Sequence, residues 1–230
     1  MARRGRPPTL SRDRVLTAAV EQADRDGLSG LTMRAVADRL GVEAMSLYHY
    51  LPGKDGLLDG LVERVMAEVD EAFVTTPTTG RPDWRVIVRD RCLTARQVMV
   101  RHPWAPGLIG SRSTIPSTVY AHYETVLATM VDAGFSYSLG HRAMHALGSM
   151  VLGFVQELFV PTAGGEDLSE QELLRLAEQL PYTIAMVSAE MHDHDGDVLG
   201  WCDSQAEFEF TLDLLLDGLE ARRTSIATSG

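Results

Sequence analysis

Only two of the 230 residues are cysteines, Cys92 and Cys202, and no spacing pairs them. That scarcity excludes a disulfide framework and a paired-cysteine metal frame, and it makes a reducing compartment the expected setting. Long hydrophobic runs are missing too. The longest, such as Met150–Val155 and Leu214–Leu216, fall far short of the ~20 residues that span a bilayer, so no membrane partner is expected. No apolar signal segment follows the Arg-rich start, which points to a cytoplasmic location. No segment alternates polar and apolar residues with β-branched enrichment, so a sheet is not expected. Nucleophile elbow, phosphate-cradling glycine loop and HExxH helix are all absent, so the chain does not read as an enzyme and no cofactor is expected. Lysine is nearly absent as well: Lys54 stands alone against twenty arginines, a bias that says nothing about mechanism.

What is present is a 45% hydrophobic chain, enough for a core that removes roughly 70 to 75% of the unfolded surface from water. The net charge of −11 would count against a nucleic-acid partner, but its distribution matters more than its sum. Residues 1–14 carry Arg3, Arg4, Arg6, Arg12 and Arg14 against Asp13 alone, a local +4, whereas residues 55 onward set 12 basic against 26 acidic groups. A short basic module for a polyanion joined to a larger acidic body fits this asymmetry. A solvated arginine-rich tail without a partner fits it equally well.

Helical periodicity dominates. Ser11 suits an N-cap ahead of the face Val15, Ala18, Ala19 and Ala23, and Gly27 suits a left-handed C-terminal cap. Thr32 caps a second helix striped by Ala35, Val36 and Leu40, which Gly41 ends. A third is expected at about 43–50, closed by Pro52 and Gly53, and a longer fourth at 55–73 is striped by Leu57, Leu58, Leu61, Val62, Val65, Met66 and Val69. The Thr, Pro and Gly of TTPTTGRP (75–82) form the clearest break. Helices are then expected at 83–101, 117–133, 136–159, 169–190 and 204–223, with Pro103, Pro106, Pro116, Pro161 and the Gly164–Gly165 pair between them. The expected fold is all-α: an N-terminal three-helix bundle and a larger C-terminal helical domain.

The informative segment is LTMRAVADRLGVEAMSLYHY, residues 31–50. Two short helices meeting at a glycine have the spacing of a helix-turn-helix, whose second helix enters the DNA major groove. A plain helical hairpin has the same spacing. The third helix, however, offers Ser46, Tyr48, His49 and Tyr50 as donors for phosphates and base edges, with Lys54 and the arginine arm beside them.

Over residues 10–66, and above all in LTMRAVADRLGVEAMSLYHYLPGKDGLLDGL, the chain resembles the TetR family of bacterial regulators. FEFTLDLLLDGLEARR, Phe208 to Arg223, is similar to the last helix of its tetracycline-repressor branch. The resemblance implies a homodimer that grips a palindromic double-stranded operator and is released by a small-molecule inducer. It implies a basic arm at 1–10, a DNA-binding domain at 11–54, a connecting helix at 55–73 and a ligand-binding and dimerisation domain at 83–223. By the same resemblance Arg34 touches phosphate or a base edge, Ala44, Met45 and Ser46 face the groove, and Tyr48, His49, Tyr50 and Lys54 hold phosphates while Thr32 caps. Ala44 and Met45 replace the polar residue and proline of the tetracycline repressors, so a different operator is implied, one read by apolar contact with thymine methyls. A regulator without a ligand, and a helical ligand-binding module without DNA, remain alternatives.

Candidate pocket residues are Trp84, Met99, His102, Trp104, His122, Met130, His141, Met144 and His145, which supply aromatic, thioether and imidazole groups. Each serves equally well as ordinary core. The candidate dimer face combines Leu147, Val151, Phe154 and Leu158 with Phe208, Leu212, Leu215, Leu216 and Leu219, two stripes read as too wide for one chain. Metal binding is left open. His141 and His145 share a helix face without a third ligand at a diagnostic interval. In EMHDHDGD (190–197), Gly196 comes too early for a calcium loop and Ser204 stands where a bidentate Glu is needed, so a solvated acidic loop is expected.

Overall fold

The computed structural model describes residues 10–73, 83–154, 175, 178–190 and 204–227. Among these the chain forms helices and no strands: α1 (Arg12–Gly30), α2 (Met33–Leu40), α3 (Ala44–Leu47), α4 (Gly53–Ala72), α5 (Trp84–Arg101), α6 (Ala105–Ser111), α7 (Ser117–Asp132), α8 (Tyr137–Gly153), α9 (Pro181–Glu190) and α10 (Ser204–Ala227). Two compact units result, Met1–Val155 with Leu212–Gly230, and Gln156–Thr211. The second contains α9, whose Tyr182 and Met186 are exposed, and the start of α10 with a buried Phe208.

In the first unit the short N-terminal helices begin where capping chemistry starts them. Ser11 Oγ accepts the Arg14 N–H and Thr32 Oγ1 accepts the Ala35 N–H at 3.0 Å, each satisfying a donor that the first helical turn leaves over. Gly27 is left-handed, φ 68°, but it kinks α1 instead of ending it, and the helix closes at Leu31, whose N–H donates to the Leu28 carbonyl. Gly41, φ 67°, turns α2 into α3; any side chain there would be strained. The core of this region joins Val15 and Ala19 of α1, Val36 of α2, Leu47 of α3, and Leu57 and Leu61 of α4, all fully buried. Gly60 lets α4 approach α1, since a Cβ there would lie 2.4 Å from Leu16 Cδ2.

The third helix is shorter than its pattern predicts. The Tyr50 N–H reaches back three residues to the Leu47 carbonyl at 2.9 Å, so the chain tightens into a turn before Pro52. Helix α6 is an addition. Pro106 had marked a break, but it sits in the first turn, where a missing N–H costs nothing. Asp83 and Ser136 cap α5 and α8 through their side chains. The last helix is tied to the body by ion pairs from Arg85 to Asp217 at 2.6 Å and from Arg89 to Asp213 at 3.3 Å, and by Arg223 donating to the Ala133 carbonyl.

Several expectations fall outside the described residues: Arg3, Arg4 and Arg6, the 75–82 break, Leu158 and the end of the 136–159 helix, the 161–165 loop, most of the start of the 169–190 helix, Cys202 and the acidic run 191–197.

Candidate nucleic-acid interface and apolar cavity

Buried Leu47 fixes α3, which packs against α2, and leaves its other side chains outward. Met45 is 75% exposed and Tyr48 50%, and Ser46 and His49 are exposed beside them, with Ala44 half-buried at the helix start. Arg34, in the first turn of α2, and Lys54, in the first turn of α4, are both exposed and neither is in an ion pair. The arginines nearby differ. Arg12 holds Glu63 at 2.7 Å and Arg39 holds Glu21, leaving them less available to an incoming phosphate. Tyr50 is engaged within the chain. Its hydroxyl donates to the Leu10 carbonyl at 2.9 Å, with the His49 ring edge-on at 5.2 Å. The only hydroxyl proton is spent inside the chain, so Tyr50 anchors the residue ahead of α1 and has no donor for phosphate.

Three of the pocket candidates line one cavity. It has a volume of about 110 Å³ and opens among α4, α5, α6, α7 and α8, with Met99, His122 and Met144 in its wall. The others sit elsewhere. Trp84 packs edge-on against Phe135 at 4.7 Å, and Met130 is buried core outside the lining. His141 and His145 stack edge-on at 4.6 Å on the exposed side of α8.

His102 and Trp104 form a clamp instead. The His102 ring, 8% exposed, lies 2.7 Å from Asp24 Oδ1 on α1 through Nδ1 and 3.0 Å from Glu68 Oε2 on α4 through Nε2. Trp104 Nε1 donates to the same Asp24 oxygen at 2.7 Å, and Arg101 donates to Glu68. Burial pushes the Glu68 carboxyl up, but hydrogen bonds from Arg101 and His102 outweigh it and hold the group below its ordinary value. Three elements are thereby stitched together: the DNA-reading bundle, α4 and the end of α5.

Sequence reasoning missed Met66, Val69, Arg91, Cys92 and Tyr123, all in the cavity wall. The first two stood in the α4 stripe, which looked like bundle core alone. Burial pushes the Cys92 thiol up to about 12 and raises the Tyr123 phenol, so both line the wall uncharged. The residues of the two apolar stripes differ in their surroundings within one chain. Leu147 and Val151 also line the cavity, and Phe208, Leu212, Leu216 and Leu219 are buried within the chain. Phe154 and Leu215 are half-buried, whereas Phe210 and Leu214 stand 62% and 56% exposed on α10. Among the described residues no three His, Cys, Asp or Glu side chains converge to hold a metal, and no helix is long and apolar enough to cross a membrane.

A helix-turn-helix with an outward polar face and free cations, followed by a helical body around an apolar cavity, defines a DNA-binding regulator with room for a small molecule. Residues 15–61 match the bacterial regulatory proteins of the tetR family, and residues 76–223 match the tetracyclin repressor-like C-terminal domain. An HTH-type transcriptional regulator of Saccharopolyspora erythraea is 36% identical over 64% of the chain, which spans 61% of that relative's length. The class C tetracycline repressor of Escherichia coli is 29% identical over 93% of the chain and 92% of its own. The structure of the regulator SCO7222, a TetR from Streptomyces coelicolor, superposes with a TM-score of 0.68 at 26% identity, covering 92% of this chain and 98% of that one. The chain belongs to the TetR family of transcriptional regulators.

Proposed function

We propose that the protein is a homodimeric repressor that binds a palindromic operator through α3 and leaves it when a small molecule fills the cavity. Residues 11–54 form the reading head, 55–73 the connection, and 83–223 the ligand-binding and dimerisation body. The observation that carries the DNA reading is the exposure of Met45, Ser46, Tyr48 and His49 together with two exposed, unneutralised cations, Arg34 in the first turn of α2 and Lys54 in the first turn of α4. Phosphate contacts position such a head and base-edge contacts specify. Met45 offers thymine methyls an apolar contact, and Ser46 offers a hydroxyl.

Release follows from continuity. Lys54 lies in the first turn of α4, and Met66 and Val69 in the same helix line the cavity, about 18 and 22 Å further along at 1.5 Å per residue. A molecule that displaces Met66 and Val69 tilts the helix bearing the phosphate contact, and the distance between two heads changes with it. Its leverage is its differential affinity for the two states, typically about 1–3 kcal/mol, or roughly 5- to 150-fold in operator affinity. The tetracycline repressors among the relatives support the repressor reading by name. The dimer face is assigned to the exposed sides of α8 and α10, where Ala146, Ser149 and Gly153 permit close approach and Leu214 is exposed.

Fluorescence anisotropy on intergenic DNA beside the gene tests the DNA reading. R34A/K54A is expected to weaken binding to every sequence while M45A changes the preferred sequence; unchanged affinity in the double variant refutes the face. Sedimentation of L214E tests the dimer, with monomer expected and an intact dimer refuting the interface.

A further inference from the structure

The basic arm is a sequence feature that α3, Arg34 and Lys54 leave unused, and the structure fixes where it starts. The Tyr50 hydroxyl, just beyond the end of α3, donates to the Leu10 carbonyl at 2.9 Å. His49, exposed, lies edge-on to the same Tyr50 ring at 5.2 Å. Ser11 caps α1 by accepting the Arg14 N–H, and Arg12 holds Glu63 on α4 at 2.7 Å. Leu10, Ser11 and Arg12 are therefore tied down in succession, and the chain ahead of Leu10 departs from a point one ring away from the exposed face of α3. Residues 1–9 read MARRGRPPT, three arginines with no acidic side chain, whereas Arg12 and Arg39 on the head already hold Glu63 and Glu21. Chain length sets what the arm reaches. At no more than about 3.6 Å per residue, Arg6 extends to about 14 Å from Leu10, Arg4 to about 22 Å and Arg3 to about 25 Å. One turn of DNA is about 34–36 Å, so a minor groove lies roughly 17–18 Å along the axis from the major groove that α3 enters. Arg6 falls among the phosphates between the two grooves, and Arg4 and Arg3 span to the minor groove itself.

From this anchor we propose that the operator is read in two grooves, by α3 in the major groove and by Arg3 and Arg4 in the adjacent minor groove over A·T base pairs, with Tyr50 as the positioning residue that aims the arm. The inference rests on the reading of α3 as the DNA-contacting helix and adds the base composition of the DNA beside it. A·T tracts narrow the minor groove and strengthen its negative potential, which draws guanidinium groups, while a G·C pair places the guanine amino group on the groove floor. Gly5 has no Cβ, which keeps the segment thin in a groove about 6 Å wide. Pro7 and Pro8 have φ fixed by their rings, which lowers the entropy lost when the arm is ordered on DNA. Arg6 neutralises a phosphate and adds affinity without sequence information.

The test uses the full-length protein and the intergenic fragment beside the gene that it binds most tightly. Hydroxyl-radical footprinting is expected to show minor-groove protection about five base pairs, half a turn, from the α3 contact, and deletion of residues 1–9 is expected to remove that protection alone. Changing the protected A·T pairs to G·C is expected to weaken binding at least about fivefold, the cost of one mismatched pair. R3A/R4A is expected to erase this preference. R6A is expected to weaken binding equally on both duplexes and to lower the salt slope by about one. Y50F keeps the ring and drops the bond to Leu10, so it is expected to reduce the preference about twofold or more while affinity for the G·C duplex stays within about twofold. A head that is merely destabilised loses affinity for both duplexes alike, and that result with Y50F overturns the role of Tyr50. A bound fragment without arm-dependent protection, equal affinity for the two duplexes, or a preference that survives R3A/R4A overturns the minor-groove proposal and leaves the reading of α3 standing. Failure to bind any intergenic fragment specifically overturns both.

Discussion

Replacing His102 with leucine tests the clamp between the reading head and the body. The substitution keeps the volume of a ring that is 8% exposed but removes the contacts to Asp24 and Glu68 at 2.7 and 3.0 Å. Hydrogen bonds to charged groups contribute about 1.5–3 kcal/mol each, so two of them set an upper range of about 3–6 kcal/mol. Two facts reduce it. The carboxylates keep 33% and 27% of their side-chain exposure, so water partly replaces the imidazole. Each also keeps a second donor, Trp104 on Asp24 and Arg101 on Glu68. Leucine contributes a further small offset through its apolar contacts, which leaves a net loss of about 2 kcal/mol. For a chain of this size 1 kcal/mol shifts the melting temperature by about 2–4 °C, so H102L should melt about 4–8 °C lower by calorimetry. Because Asp24 belongs to α1, operator affinity should fall with stability while effector binding at the cavity is retained. W104F, which removes one bond and leaves His102 in place, should lower the melting temperature by about half as much. A melting temperature for H102L within about 1 °C of the parent would refute the clamp, since no other element replaces both contacts.

Three further outcomes follow from the same geometry. Glu68 titrates below its ordinary value of 4.5 in the folded state, so its contribution is present above that value and is lost as pH falls through the lower folded one; E68Q should flatten the acid limb of a stability–pH curve, and an unchanged limb would count against the cause given. With its thiol pushed to about 12, Cys92 should resist iodoacetamide at pH 8 in the folded protein and react once urea unfolds it; rapid labelling of its peptide in native mass spectrometry would contradict the burial. G60A places a methyl 2.4 Å from Leu16 Cδ2, and overpacking of about 1–3 kcal/mol should outweigh the helix-propensity gain of about 1 kcal/mol, so urea midpoints should fall; a stabilised variant would mean that α1 and α4 yield freely.

The reading head was legible because it is local. Ser11, Thr32 and Gly41 act within a turn of themselves, and each starts or ends a helix through its own side chain or backbone. The apolar stripe of α4 likewise declares a buried face through its spacing. Met45, Ser46, Tyr48 and His49 emerge outward because Leu47 between them is the only large aliphatic residue in α3. The bond from the Tyr50 hydroxyl was not legible because its acceptor, the Leu10 carbonyl, is forty residues away.

The cavity and the apolar stripes were decided by tertiary structure. Periodicity says that Leu147, Val151, Leu212 and Leu216 turn from water, yet it is silent on what shields them; within the folded chain all four are buried, Leu147 and Val151 in the cavity wall. Arg91 reads as a surface arginine on α5, and only the approach of Phe73 and Asp70 buries its Nε without a partner. His102 reads as a pocket histidine until α1 and α4 bring Asp24 and Glu68 to its two nitrogens. Helix starts, stops and amphipathic faces arise from interactions within four residues, which one chain of letters displays. A cavity, an orphan donor or a clamp depends on residues dozens of positions apart converging on one point, and only the folded packing brings them there.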